Sequence, residues 1–242
     1  MMLRQWKRGL LWMPVVYLVG MGAYLGMLKY AGDSRAIFDE IAKLDEESPD
    51  EGKLRNLKNL QQINDKLGDA LGRLQKARTG TTIMSSVLVA VALLYLWCTW
   101  QLTSGPDGRW EIWARRIIFV VPLLFLMPLL GVQGALFKLL SKGLSVVLAL
   151  GHEEAYQKIG VHTGNRDLAV RIYNIYRIFW IVLLGSIMVM IVLDGRFQNF
   201  NIETWAVNAI YAAGILCILA LSYTLSQMHA RVCEFERRRL EG

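Results

Sequence analysis

The sequence predicts an all-α, polytopic integral membrane protein, and two observations predict that fold class. Hydrophobic residues fill 54% of the 242 positions, charged residues only 19%, and the mean hydropathy is +0.33, whereas an average soluble domain has roughly 25% charged residues. Nearly half of the chain lies in five uncharged runs, at 9–28, 79–106, 117–137, 178–193 and 204–228. Runs of about 20 apolar residues match a hydrocarbon core roughly 30 Å thick. We therefore expect four transmembrane helices plus an embedded segment, which gives four to six spans.

The charge surplus is the second constraint on function. The chain has 27 Lys and Arg against 20 Asp and Glu, a net charge of +7. Because the one long polar segment, 30–78, is close to neutral, the surplus lies at the membrane edges. This distribution favours anionic lipid headgroups as partners over nucleic acid.

The first element comprises an N-terminal tail and an uncleaved signal-anchor helix, residues 1–29. Gly22 and Gly26 form a small-xxx-small face on this helix, which would let another backbone approach closely. Glycine is also simply common in membrane helices, so packing at this face is one of two interpretations.

Residues 30–80 predict an extramembrane amphipathic helical hairpin. Apolar residues follow Asp33 and Ser34 at helical steps and predict a short helix there. The segment 48–51 has the pattern of a capping box and predicts the start of a second helix, which leads directly into the next span. The hairpin is either a docking surface or a self-packed connection between two spans.

The second transmembrane helix is predicted at 81–103, and residues 104–151 form a loop followed by an embedded segment. Pro122 and Pro128 lie within its apolar run, and each removes a backbone donor, so the sequence predicts a kinked or broken helix. The segment would then be a hairpin, a re-entrant segment or an interfacial helix.

A polar stripe on the returning half of this segment is the main candidate site. Its members share one narrow helical face and are Lys138, Ser141, Lys142, Ser145 and His152. The stripe faces headgroups, lines a wet cavity or meets a carboxylate of a partner subunit; a lipid-facing lysine at the bilayer centre is excluded by its cost.

The rest of the chain is predicted as a polar loop at 152–171, transmembrane helices at 172–193 and 204–228, and a basic C-tail at 229–242. If 117–151 returns to the side it left, the face with both termini carries fourteen basic and eight acidic residues, against eleven and twelve on the other. This asymmetry predicts cytoplasmic termini in a bacterial inner membrane. The basic cluster Arg73, Lys76 and Arg78 lies on the other side and opposes this assignment.

The sequence contains no motif of a catalytic or cofactor site. Gly151-His152-Glu153-Glu154 with His162 lacks the His-Glu-x-x-His spacing of a zinc site. Phosphate-binding, dinucleotide and Cys-x-x-Cys patterns are also missing from the sequence. We therefore predict no enzyme activity, no cofactor and no metal.

Three functions fit this architecture. The first is a non-enzymatic inner-membrane subunit or accessory protein of a secretion, conjugation or envelope complex, bound to a protein partner or to further copies of itself. The second is an oligomeric channel or transporter component with the Lys/Ser stripe around a polar path. The third is a membrane immunity or exclusion protein.

Overall fold

A computed structural model describes residues 2–46, 57–105, 108–129, 135–193 and 202–241. These residues form six α-helices and no strand, which confirms the all-helical prediction. The helices are α1 (Met2–Glu46), α2 (Leu57–Leu102), α3 (Arg109–Leu129), α4 (Ala135–His162), α5 (Arg166–Leu193) and α6 (Ile202–Glu241).

The chain divides into two compact units. Unit 1 consists of Met1–Leu18 and Leu93–Gly242, and unit 2 consists of Val19–Ala92. Helices α1 and α2 both continue across the boundary between the units, so each contributes residues to both units.

Three helical stretches within the described residues are long and apolar enough to cross a membrane, by length and composition. They are Met2–Lys43, Asn64–Leu102 and Asn208–Glu241. The predicted span 172–193 lies within α5, where the side chains of 186–193 fall outside the described residues. A membrane protein with at least some helical spans is therefore what the structure supports.

Unit 2 is an antiparallel pair formed by the parts of α1 and α2 that it contains. A Cβ added to Gly26 would lie 3.1 Å from Met84 Sδ, and Ile37 packs against Ala70, Leu74 and Ala77. Residues later in α1 contact residues earlier in α2, which is the geometry of an antiparallel helical hairpin.

One element of this hairpin differs from the prediction. The short helix expected after Asp33 and Ser34 is not separate, because α1 continues to Glu46. Ser34 Oγ donates to the Tyr30 carbonyl at 2.9 Å, so the hydroxyl bonds one turn back instead of capping a new helix. The predicted capping box at 48–51 lies outside the described residues.

In unit 1, α3 packs against α4, α4 against α5, and α5 against α6. Ala114 and Ile117 of α3 form a buried cluster with Leu148 of α4. Helix α3 continues through Pro122 and Pro128 to Leu129, so of the two predicted alternatives the broken helix is wrong and the kinked helix stays a prediction. Neighbouring helices can accommodate the freed backbone groups at such prolines.

The connection between α4 and α5 is shorter than predicted. Helix α4 continues to His162 and α5 begins at Arg166, so most of 152–171 is helical and not a loop. Gly164 has φ = 71°, and the Asn165 N–H donates to the Gly160 carbonyl at 2.7 Å. This is a glycine-terminated helix end that runs directly into the next helix.

Candidate functional site

His152 lies at the centre of a buried polar cluster in unit 1. It has no solvent-exposed surface. Its Nδ1 is 3.2 Å from the Tyr95 hydroxyl, and its Nε2 is 2.7 Å from Thr99 Oγ1. The Tyr95 and Tyr156 rings lie 5.1 and 6.0 Å from the imidazole. Both ring nitrogens therefore bond to α2, while the side chain belongs to α4.

The hydrogen-bond pattern fixes which nitrogen carries the proton. Thr99 Oγ1 donates to the Tyr95 backbone carbonyl at 2.8 Å, so its single proton is already used. The Thr99 oxygen then accepts from His152 Nε2–H, and Nδ1 accepts from the Tyr95 O–H. This assignment follows from the network and describes a neutral imidazole.

Burial also keeps this imidazole neutral. A charged ring here would lose its hydration and, among the described residues, gain no carboxylate partner in exchange. A histidine with both nitrogens occupied and no charge has no free position for proton transfer at neutral pH. His152 therefore links α4 to α2 through two hydrogen bonds.

A second cluster closes the N-terminus of α3. Gly108 is the N-cap, since the Ile112 N–H donates to its carbonyl at 3.2 Å. Glu111 Oε2 accepts from the Gly108 N–H at 3.0 Å, which is half of a capping box. Glu154 Oε2 accepts from the N–H groups of Trp110 and Glu111 at 2.8 and 3.1 Å. The Glu154 carboxylate of α4 thus caps α3, and its negative charge interacts favourably with the positive end of the α3 dipole.

Lys158 completes this cluster by an ion pair with Glu111, whose side chain is only 7% exposed. Burial raises the pKa of Glu111, and the Lys158 ammonium opposes that effect. A Cβ on Gly108 would lie 2.5 Å from the Glu154 carboxyl carbon and 2.6 Å from Lys158 Nζ. A larger residue at this position would displace the ends of the Glu154 and Lys158 side chains and so disturb the cap and the ion pair.

Comparison with family models, with curated proteins and with solved structures gives no match.

Tryptophan and arginine side chains surround the same end of α3. The guanidinium of Arg115 lies 5.2 Å above the Trp100 ring, and that of Arg116 lies 5.3 Å above the Trp113 ring. Trp113 is 50% exposed. Exposed indoles stacked with arginine are typical of side chains at a membrane–water interface.

Segments distant in sequence meet at one end of unit 1. Trp6 packs edge to face on His162 at 5.5 Å, and His162 lies 6.2 Å from Phe235. Lys7 Nζ is 2.7 Å from Glu236 Oε2. The start of α1, the end of α4 and the end of α6 are therefore neighbours.

The two described side chains of the predicted polar stripe lie in different environments. Ser145 is exposed, whereas His152 is fully buried. Lys138, Ser141 and Lys142 belong to α4, but their side chains lie outside the described residues. His152 therefore belongs to the contact between α2 and α4, and the stripe as a unit stays a prediction.

The two predicted packing glycines also differ from each other. A Cβ on Gly26 would contact Met84, while one on Gly22 would meet nothing within 4 Å. Gly80 makes a closer contact that the sequence analysis missed, since its Cβ would lie 2.7 Å from the Tyr30 ring. The signal for this contact in the sequence is the position of Gly80, a residue without a side chain at the start of an apolar run.

The described residues hold no group of three or more His, Cys, Asp or Glu side chains arranged to bind a metal ion. Three of their polar side chains bond across helix contacts: His152 with Thr99, and Glu154 and Lys158 with the N-terminus of α3. Sequence reasoning missed Thr99, Glu111 and Glu154, because partners on separate helices cannot be paired from spacing alone.

Proposed function

We propose that this chain is a non-enzymatic inner-membrane subunit or accessory protein of a multi-protein assembly, of the secretion, conjugation or envelope-complex type. It contacts its protein partner through the distal hairpin, defined as the described residues 30–46 and 57–78 of unit 2. The polar clusters of unit 1 support this proposal because their groups are used to join helices.

The observation that carries the proposal is the exposed surface of the distal hairpin. Phe38 and Leu71 are 48% and 51% exposed in a segment outside the uncharged runs. Arg73 Nη2 donates to both carboxylate oxygens of Glu40, at 2.8 and 2.9 Å, and this ion pair joins the two legs. Large apolar residues exposed on an otherwise charged surface are typical contacts of a protein partner.

The proposed topology has four transmembrane helices and a membrane-embedded α3–α4 pair, with both termini in the cytoplasm of a bacterium. Outward-facing apolar residues on α5 and α6 support membrane contact; Ile178, Ile181 and Leu216 are 56%, 60% and 67% exposed. The pairing of Ile117 with Leu148 supports a segment that returns to the side it left.

Leu71→Asp tests the docking surface. We expect the wild-type protein to migrate as a discrete complex in mild detergent and the variant to lose that complex, because the acid replaces a buried apolar contact with an unpaired charge. Blue-native electrophoresis of membranes from the native host measures the size, and a photoreactive residue at position 71 captures the partner.

Gln75→Asp is the matched control, because it adds the same charge one turn along α2, also at an exposed position. It should leave the complex intact. A wild-type protein that migrates as a monomer and captures no partner from position 71 would contradict the proposal.

A further inference from the structure

A groove lies between the two helices of unit 2 where the chain changes from charged to uncharged. It has a volume of about 670 Å³ and is lined by Ala31 and Ser34 of α1 and by Arg78, Thr82 and Val89 of α2, among others. Arg78 is the last charged residue before the uncharged run 79–106. If that run enters the hydrocarbon core, the groove lies at headgroup depth.

Arg78 lies in this groove and stacks on an aromatic ring. Its guanidinium lies 5.7 Å above the Phe38 ring, and within the described part of the chain it forms no ion pair. Arg73, five residues earlier, is bonded to both oxygens of Glu40. A guanidinium stacked on a ring keeps its N–H donors available at its edge, which is the geometry that binds phosphate.

The wall beyond Arg78 is lined by small hydroxyl side chains that are already satisfied. Thr82 Oγ1 donates to the Arg78 carbonyl and Ser86 Oγ to the Thr82 carbonyl, both at 3.0 Å. Their hydrogens need no further acceptor, so they cost little in the partly hydrated ester layer of a bilayer. The groove then ends at Val89, which is 52% exposed and apolar.

We propose that this groove binds one anionic phospholipid, with its phosphate on Arg78, its ester region along Thr82 and Ser86, and an acyl chain beside Val89. The order of groups along the groove matches the order of groups in a lipid. A soluble phosphate would use Arg78 but not the apolar end. The inference requires membrane insertion of α1 and α2. The site shares Arg78 and Phe38 with the distal hairpin, but its test does not depend on the protein partner.

This site also gives a role to Arg78, one of the three residues of the basic cluster that opposes the predicted orientation. Arg73 is neutralised by Glu40, and Arg78 would be neutralised by a lipid phosphate. Residues bound to a headgroup are already compensated, so they need not follow the positive-inside distribution.

Native mass spectrometry of the purified full-length protein in mild detergent tests the proposal. Phosphatidylglycerol, phosphatidylcholine and inorganic phosphate are added separately. We expect about fivefold more phosphatidylglycerol than phosphatidylcholine to stay bound, the preference that one basic residue gives at an anionic surface. R78Q should lose this preference, R78K should keep part of it, and R73Q should keep it.

Three results would overturn the proposal. They are equal retention of the two lipids by the wild-type protein, an equal loss in R73Q and R78Q, and displacement of phosphatidylglycerol by millimolar inorganic phosphate. The last result would identify a free-anion site. If R78Q does not fold, R78K decides, since full retention of the lipid preference in that variant would remove the role of the guanidinium.

Discussion

His152 joins two helices through both nitrogens of a neutral ring. The imidazole accepts from the Tyr95 hydroxyl and donates to Thr99 Oγ1. The sequence placed this residue at the start of a polar loop, and the structure places it in the core of unit 1. A histidine next to two glutamates in the sequence is typical of a solvent-exposed loop. In the structure its surroundings are determined by Tyr95 and Thr99 of α2.

The full burial of His152 predicts acid sensitivity. In the folded protein both ring nitrogens are bonded to neutral hydroxyl groups and the imidazole is held neutral, whereas in the unfolded chain it binds a proton below about pH 6.5. The unfolded state therefore binds more protons in this pH range, and stability falls as the pH drops below about 6.5. The slope from this residue approaches about 1.4 kcal/mol per pH unit.

The measurement is the thermal midpoint in mild detergent at pH 7.5, 6.5 and 5.5. His152→Leu should start less stable by about 1 to 3 kcal/mol, because the Tyr95 hydroxyl loses its acceptor, and its midpoint should fall less on acidification. If the variant and the wild-type protein lose stability in parallel as the pH falls, His152 is not the group that titrates.

At the scale of elements, contact between α3 and α4 depends on one glycine. A Cβ on Gly151 would lie 2.4 Å from the Ala114 Cβ and 3.0 Å from the Trp110 carbonyl oxygen. The opposing atoms include backbone, so they cannot rotate away. The same approach brings Glu154 within hydrogen-bond distance of the α3 N-terminus.

Gly151→Ala should therefore destabilise the protein by about 1 to 3 kcal/mol, the usual effect of overpacking a close contact. Gly143→Ala is the control on the same helix, since a Cβ there meets no described atom within 4 Å; it should be neutral or stabilising by up to about 1 kcal/mol. Thermal unfolding of both variants in detergent measures the difference. Equal effects of the two alanines would show that the close approach at Gly151 does not limit stability.

Local sequence signals predicted the helical class and the position of the apolar segments, because both depend on composition and periodicity. They did not predict how far the helices continue. Asp33 and Ser34 precede an apolar stripe and predict a helix start, but the Ser34 hydroxyl donates to the Tyr30 carbonyl. The pair Gly164-Asn165 carried a signal for a tight turn, yet the charged residues around it were interpreted as a loop. The Glu154 contact with α3 could not be predicted, since it depends on packing between helices.

At the scale of the whole molecule, membrane topology can be measured at three exposed positions. Leu71, Val161 and Leu240 are 51%, 62% and 83% exposed, and cysteines placed there in a background without Cys98, Cys217 and Cys233 should be accessible. We expect Val161→Cys and Leu240→Cys to react only from the cytoplasmic side, and Leu71→Cys only from the other.

The labelling uses a membrane-impermeant maleimide on intact cells and on inverted vesicles. Quantitative reaction of all three sites after solubilisation is the control for accessibility. Reaction of positions 161 and 240 from opposite sides would contradict the proposed even number of crossings.

The ion pair between Lys7 and Glu236 has a consequence for biosynthesis. The two residues are 229 positions apart, and a ribosome adds about 5 to 20 residues per second, so the partner of Lys7 emerges roughly 10 to 45 seconds later. Helices insert individually before they associate in the bilayer. Trp6 and Lys7 therefore remain at the membrane interface during that interval. The helices of unit 1 can pack around the first helix only after the last helix has been synthesised.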